Sequence, residues 1–234
     1  MADAAEAVLG TLSGPIDWLV STKPVDYPVA MTAMEGRVDA IHKGAASDAV
    51  WLLQHPALYT AGSSAAPAEL LDPDRLPVFE TGRGGRYTYH GPGQRVAYVM
   101  MDLGPRGNDL RAYVCTLEDW VIAALARLGV TAERRSERIG IWITRDDRED
   151  KIAALGVRVR RWVAFHGIAI NVNPHLDDFS GIVPCGIEGY GVTSLADIGI
   201  QATMDDLDEA LHATFGDVFG REPDAPMAST NAIP

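Results

Sequence analysis

Two apolar periods alternate along the chain. From residue 28 to 43, Val29, Met31, Met34, Val38 and Ile41 recur mostly at spacings of three and four, which predicts a helix with Pro28 in its first turn. A second helix is predicted from near Asp109 to Leu128, ended by Gly129, and a third over about 203–219, with Leu207, Leu211 and Phe215 on one face. The continuous apolar run 49–54 predicts a buried strand. Further strands are expected at 78–81, 87–89, 96–100, 139–143, 151–159 and 162–172, with 8–12 a weaker edge strand. Residues 63–77, 104–108 and 173–190 carry the Gly, Pro, Ser and Asp of loops, and 145–150 is a charged turn. No repeat and no linker divides the chain. The expected organisation is a lead-in over 1–24, one domain over 25–220, and a flexible tail over 221–234. Strands interleaved with helices indicate an α/β (or α+β) domain without fixing its topology.

Composition narrows the class. At 234 residues the chain can bury a substantial core, and 47% hydrophobic with 22% charged residues is ordinary for a globular protein. No basic stretch precedes an apolar run at the N-terminus, and no apolar run reaches the length of a membrane span. Two cysteines are too few for a disulfide framework, so the cytoplasm is the expected compartment. A net charge of −12 argues against nucleic-acid binding. The charge is unevenly spread: residues 83–161 hold 15 Lys+Arg against 10 Asp+Glu. That basic middle is either a docking face for acidic partners or simply solvated surface.

The stretch 82–94, Gly-Arg-Gly-Gly-Arg-Tyr-Thr-Tyr-His-Gly-Pro-Gly-Gln, is unlike any core segment. Its glycines allow close backbone approach to a ligand or positive φ. It reads as a glycine-rich loop, a short strand, a tight turn and a second strand; an ordinary hairpin is the plain alternative.

Two other places could carry chemistry. Cys185 lies in a glycine-flanked loop, Gly181-Ile-Val-Pro-Cys-Gly-Ile, where a substrate can reach a thiol. A free thiol is only a few per cent thiolate at neutral pH, so it needs a cation or base beside it. His166, His175 and Lys151 are the candidates. Lys151 is the only lysine after Lys43 in a chain with 17 arginines and three lysines, and a lysine can act as a base where arginine cannot. Cys115, inside the second predicted helix beside Val114, is expected in the core.

The order of residues in these segments resembles the lipoyl(octanoyl) transferase family. Arg83-Gly84-Gly85, Thr88 and His90-Gly91-Pro92-Gly93-Gln94 carry the resemblance first. Lys151-Ile152-Ala153-Ala154-Leu155-Gly156, Phe165-His166-Gly167-Ile168-Ala169-Ile170-Asn171 and Pro184-Cys185-Gly186 extend it, and Thr60-Ala61-Gly62 fits the family's pocket segment. Leu155 departs from a serine common there. The resemblance covers about residues 50–200.

It implies one domain with a mixed central sheet flanked by helices, like the catalytic domain of biotin and lipoate protein ligases. It implies transfer of an octanoyl group from octanoyl-acyl carrier protein to a lysine of lipoyl domains, those of 2-oxoacid dehydrogenase E2 subunits and the glycine-cleavage H protein, as the first step of endogenous lipoylation. Cys185 would carry the acyl group as a thioester and Lys151 would manage protons, with no metal, cofactor or ATP. Arg83, Gly84, Gly85, Arg86, Tyr87, Thr88, Tyr89, His90, Ala154, Leu155, Gly156, Gly167, Ile168 and Ala169 would form the substrate site. Gly84, Gly85, Gly156 and Gly167 would keep a narrow acyl channel open, and His90 would orient polar groups at its mouth. An ATP-dependent lipoate or biotin protein ligase is the alternative enzyme, and a non-catalytic acyl-binding protein the alternative of another class. A monomer is expected.

Overall fold

A computed structural model describes residues 16–145, 148–183 and 190–229. The expected strand at 8–12 and the Pro184-Cys185-Gly186 loop lie outside these residues.

The elements run β1 (Ile16–Ser21), α1 (Tyr27–His42), β2 (Asp48–Leu53), β3 (Leu58–Ala61), β4 (Val78–Glu80), β5 (Tyr87–His90), β6 (Gln94–Asp102) and α2 (Leu110–Arg127). They continue with β7 (Glu133–Arg135), β8 (Arg138–Arg145), β9 (Arg148–Arg160), β10 (Val163–Asn171), β11 (Gly191–Val192), α3 (Met204–Phe219) and β12 (Met227–Ser229). Among the described residues the main sheet has the order β12-β1-β2-β6-β10-β9-β8-β7, with β11 added beside β9. It is mixed: β1 pairs parallel with β2 and β12, and β11 parallel with β9, while the central pairs are antiparallel. A small second sheet has the order β4-β3-β5.

Side chains alternate across each strand, so each central strand feeds two cores. Val50, Leu52, Ala97, Val99, Met101, Ile168 and Ile170 face α2 and α3, where Trp120 and Phe215 pack. Trp51, Leu53, Val96, Tyr98, Met100, Phe165 and Ala169 face α1, against Met34, Val38 and Ile41. This two-layered burial explains why residues 49–54 read as a continuous apolar run rather than an alternating one.

Helix ends follow their local chemistry. Asp109 Oδ1 accepts the Ala112 N–H at 2.9 Å at the start of α2, and Gly129 takes φ 77° just beyond its end. Thr203 and Asp206 form a reciprocal capping box at the start of α3, and Gly220 closes it with φ 71°.

Two sequence expectations change, and the plain-hairpin alternative is set aside. The strands on either side of Gly91-Pro92-Gly93 are not a hairpin: β5 pairs with β3 in the small sheet and β6 with β2 and β10 in the large one. The turn therefore hands the chain from one sheet to the other. Residues 16–21, inside the expected lead-in, form a buried strand, because Ile16, Trp18 and Leu19 fill both faces of the sheet. Residues 227–229, inside the expected flexible tail, pair with that strand.

The basic middle is largely compensated from within. Arg134 pairs with Asp119, Arg135 and Arg138 with Glu149, Arg145 and Arg148 with Asp150, and Arg160 with Asp39.

Candidate active site

A cleft of about 2020 Å³ opens between the loop 82–86, β5, β9 and β10, and continues along α2 to β7 and β8. Lys151 stands in it, as do Ala154, Leu155 and Gly156 of β9 and Gly167, Ile168 and Ala169 of β10. Gly167 lies directly opposite Gly156, and Ile168 opposite Leu155, in the β9–β10 ladder. The Arg83-Gly84-Gly85-Arg86 loop and Tyr87, Thr88 and His90 supply the facing wall.

The loop owes its shape to Arg83. Its buried guanidinium donates to the carbonyls of Gly84 (2.9 Å), Thr60 (2.9 Å) and Arg86 (3.0 Å), and to Thr60 Oγ1 (2.7 Å). Gly84 N–H ties the loop to β9 through the Val157 carbonyl at 2.9 Å. Arg83 is thus committed to the protein's own carbonyls, and Arg86 pairs with Glu69. A planar five-donor group can gather several carbonyls at once where lysine cannot.

Two of the glycines, Gly156 and Gly167, are required by packing. A Cβ at Gly167, which has φ 154°, would lie 2.3 Å from the Ala97 carbonyl oxygen. One at Gly156 would lie 3.0 Å from Arg83 Cδ and 3.1 Å from the Gly84 carbonyl. Gly85 takes φ 89°. Close approach of neighbouring atoms thus accounts for glycine at 156 and 167, whereas a Cβ at Gly84 would meet only the Val157 carbonyl, at 3.5 Å.

Tyr89 is not brought to the cleft. It packs beneath it, 4.9 Å from the Phe179 ring and 6.3 Å from Tyr59. Period-two alternation sends Thr88 and His90 the other way. Cys115, expected in the core, is only partly buried and lines the α2 end of the cleft.

Three histidines, His55, His90 and His166, cluster with Tyr98 at the buried inner wall. His55 Nδ1 lies 2.6 Å from the Val25 carbonyl, so that nitrogen carries the proton; its Nε2 then accepts from the Tyr98 hydroxyl at 2.7 Å. Gln94 Nε2 donates to the Tyr89 carbonyl and to Asn171 Oδ1, leaving Gln94 Oε1 to accept from His90 Nδ1 at 2.8 Å. Asn171 Nδ2 donates in turn to the Thr193 carbonyl at 2.9 Å. Burial pushes His55 down to about 4 and His166, with Arg83 and Arg158 nearby, down to about 3. Burial also holds His90 well below the ordinary range, helped by His55 and Arg83. All three are neutral at pH 7. His166 sits in a left-handed conformation, φ 62°, which breaks the alternation of β10 and stacks its ring on Phe165 at 5.0 Å. His175, by contrast, is exposed beside Asp178.

Lys151 is 6% exposed. Its Nζ donates to the Ile139 carbonyl at 3.0 Å and lies 4.7 Å from the centre of the Trp142 ring. The strand that follows the 184–189 segment is bound to the same place: Gly191 pairs with Asp150 and Val192 with Lys151, and Thr193 N–H donates to the Lys151 carbonyl at 3.0 Å. On its other side the segment begins after Val183, whose N–H donates to the Glu69 carbonyl at 2.8 Å.

Sequence reasoning missed Glu118, Gly140 and Trp142 around Lys151, and Tyr98 and His55 at the inner wall. Glu118 gave a faint signal, an acid on the apolar face of α2 next to Leu117 and Val121.

Comparison with known proteins agrees with this architecture. The family model for the lipoyl protein ligase A/B catalytic domain matches residues 26–216. The octanoyltransferase of Paramagnetospirillum magneticum is 63% identical over 89% of this chain and 99% of its own. That of Caulobacter vibrioides is 58% identical over 91% and 96%. Among solved structures, a bi-partite lipoate protein ligase from Thermoplasma acidophilum superposes with a TM-score of 0.66 at 18% identity, covering 94% of this chain and 88% of that one, a likeness of fold. The chain belongs to the lipoyl protein ligase A/B catalytic-domain family, within its octanoyltransferase group.

Proposed function

We propose that this protein transfers an octanoyl group from octanoyl-acyl carrier protein to a lysine of lipoyl domains, through a thioester on Cys185. The observation that carries the reading is the placement of Lys151. A nearly buried ammonium stands in the cleft, and the strand leading out of the Cys185 segment is hydrogen-bonded to its own backbone.

In the first step the Cys185 thiolate, favoured by the Lys151 ammonium, attacks the thioester carbonyl of the donor. The carrier sulfur leaves and takes a proton from Lys151. In the second step the lipoyl-domain amine attacks octanoyl-Cys185, neutral Lys151 accepts the amine proton, and the C–S bond breaks. The cycle returns cysteine thiolate and lysine ammonium. Thioester to amide is downhill, so no ATP is consumed. Backbone N–H groups of the glycine-rich loops are the proposed donors to the tetrahedral oxyanion. The apolar walls of β9 and β10, with Leu155, Ile168 and Ala169, suit an eight-carbon tail.

The acceptors are proposed to be the lipoyl domains of 2-oxoacid dehydrogenase E2 subunits and the glycine-cleavage H protein, and the setting the cytoplasm. Among the described residues no helix is long and apolar enough to cross a membrane. Much of the positive charge near the cleft is internally paired, so docking of acidic carriers would rest on few arginines, with Arg111 at the start of α2 the first to test.

The test is modification of a purified apo-lipoyl domain. Octanoyl-acyl carrier protein alone should support it. Modification that requires free octanoate and ATP would move the protein to the ligase reading.

A further inference from the structure

The Lys151 arm lies across Gly140. A Cβ on Gly140, which has φ 130°, would stand 2.9 Å from Lys151 Cε and 3.0 Å from Nζ. Lys151 Nζ donates to the Ile139 carbonyl at 3.0 Å, and the next N–H, that of Gly140, donates to Glu118 Oε1 at 3.1 Å. The Ile139 C=O and the Gly140 N–H are the two ends of one peptide unit. Its negative end faces the ammonium and its positive end faces the carboxylate. Such head-to-tail alignment strengthens both hydrogen bonds.

The other charges around Lys151 are engaged elsewhere. On α2, Asp119 pairs with Arg134 of β7 at 3.1 Å. On β8, Arg138 pairs with Glu149 at 2.5 Å and stacks on Trp142 and Tyr190. On β9, Asp150 is bound by Arg148 at 2.9 Å and Arg145 at 3.5 Å. Glu137 is exposed in the turn between β7 and β8. Glu118 is 5% exposed and, among the described residues, has no arginine within ion-pair distance. Burial raises its carboxyl, opposed by the Gly140 N–H, by Arg134 and by Lys151.

We propose that Glu118 is a positioning residue for octanoyl transfer: through the Ile139–Gly140 peptide it holds the Lys151 side chain in the cleft. This rests on the reading of Lys151 as the proton-handling group. The carboxylate comes from the helix across the cleft and touches no substrate in this scheme; its influence reaches the reaction only through Lys151.

The composition offers a direct test. The chain has three lysines, and Lys23 and Lys43 are exposed. Carbon-13 labelling at lysine Cε in the full chain therefore lets NMR follow the surroundings of Lys151 beside two internal controls. Glu118→Gln keeps an oxygen for the Gly140 N–H and removes the charge. It should move the Lys151 Cε resonance at fixed pH, leave those of Lys23 and Lys43 in place, and slow octanoyl transfer roughly tenfold at unchanged KM. Glu118→Asp, which keeps the charge, should restore most of the rate and the wild-type resonance position. A Lys151 resonance and rate unmoved by Gln, or moved equally by Asp and Gln, overturns the inference. Full activity in Lys151→Met overturns instead the role of Lys151 on which it rests, whatever the NMR shows.

Discussion

Lys151 is held by contacts that no neighbour in sequence supplies: the Ile139 carbonyl, the Trp142 ring and the Glu118 carboxylate behind Gly140. Removing its amine as Lys151→Met should slow octanoyl transfer by about 10²–10⁴-fold, the range of a positioned acid–base group, without loss of thermal stability. Gly140→Ala should do similar harm by a different route. Its Cβ would collide with the Lys151 arm and its backbone would be strained. Transfer should fall at least tenfold, roughly, while Lys151 remains present, and a crystal structure should show the ammonium displaced. Normal turnover in that variant would mean that the site tolerates a displaced amine. At this scale rarity draws attention to the isolated lysine, and its proposed role comes from the resemblance rather than from rarity. The sequence is illegible where a role depends on what folds against it. Nothing in the order of residues brings Glu118 to Gly140, and Tyr89 differs from His90 only by which face of β5 it occupies.

At the level of elements, β5 and β6 leave Gly91-Pro92-Gly93 into different sheets, and the space between those sheets holds the three histidines. This cluster has a stability consequence. A histidine held below its unfolded value binds fewer protons folded than unfolded, so its contribution is fully present above about pH 6.5 and is lost as pH falls. For His55, lowered to about 4, the whole effect is about 3 kcal/mol. As pH falls from 6.5 to 5, urea unfolding should weaken with a slope that approaches about 1.4 kcal/mol per pH unit for each of His55 and His166, and His90 should add to it in the same direction. His55→Phe should reduce that slope by one proton. A flat profile across this window would show that the three rings are protonated without penalty. The positions of these strands could be read from apolar runs and β-propensity. Their division between two sheets could not, because a tight glycine-proline turn looks the same whether or not its flanks pair.

Across the whole molecule, the first and last strands of the described residues meet at one edge of the sheet. β12 pairs with β1, and Asp224 N–H donates to the Ile16 carbonyl at 3.1 Å. Ending the chain after residue 222 should cost about 2 kcal/mol, a fall in Tm of roughly 4–8 °C for a domain of this size, and leave octanoyl transfer at room temperature unchanged. An unchanged Tm would show that this strand adds nothing. Both end segments look peripheral in the sequence because short apolar runs broken by Gly and Pro carry little periodic signal; only the partner strand reveals their place. The mixed sheet with flanking helices was expected from resemblance, and periodicity alone would have left its strand order open.

The central claim is that an octanoyl group rests on Cys185 between donor and acceptor. Its most direct test is intact mass after incubation with octanoyl-acyl carrier protein, with Cys185→Ser and Cys185→Ala measured alongside. The account predicts one added octanoyl group on the wild-type chain, none stable on the alanine variant, and discharge of the adduct by an apo-lipoyl domain without ATP. A lipoyl domain that becomes octanoylated at the wild-type rate by Cys185→Ala, with no adduct on any form of the enzyme, would contradict it.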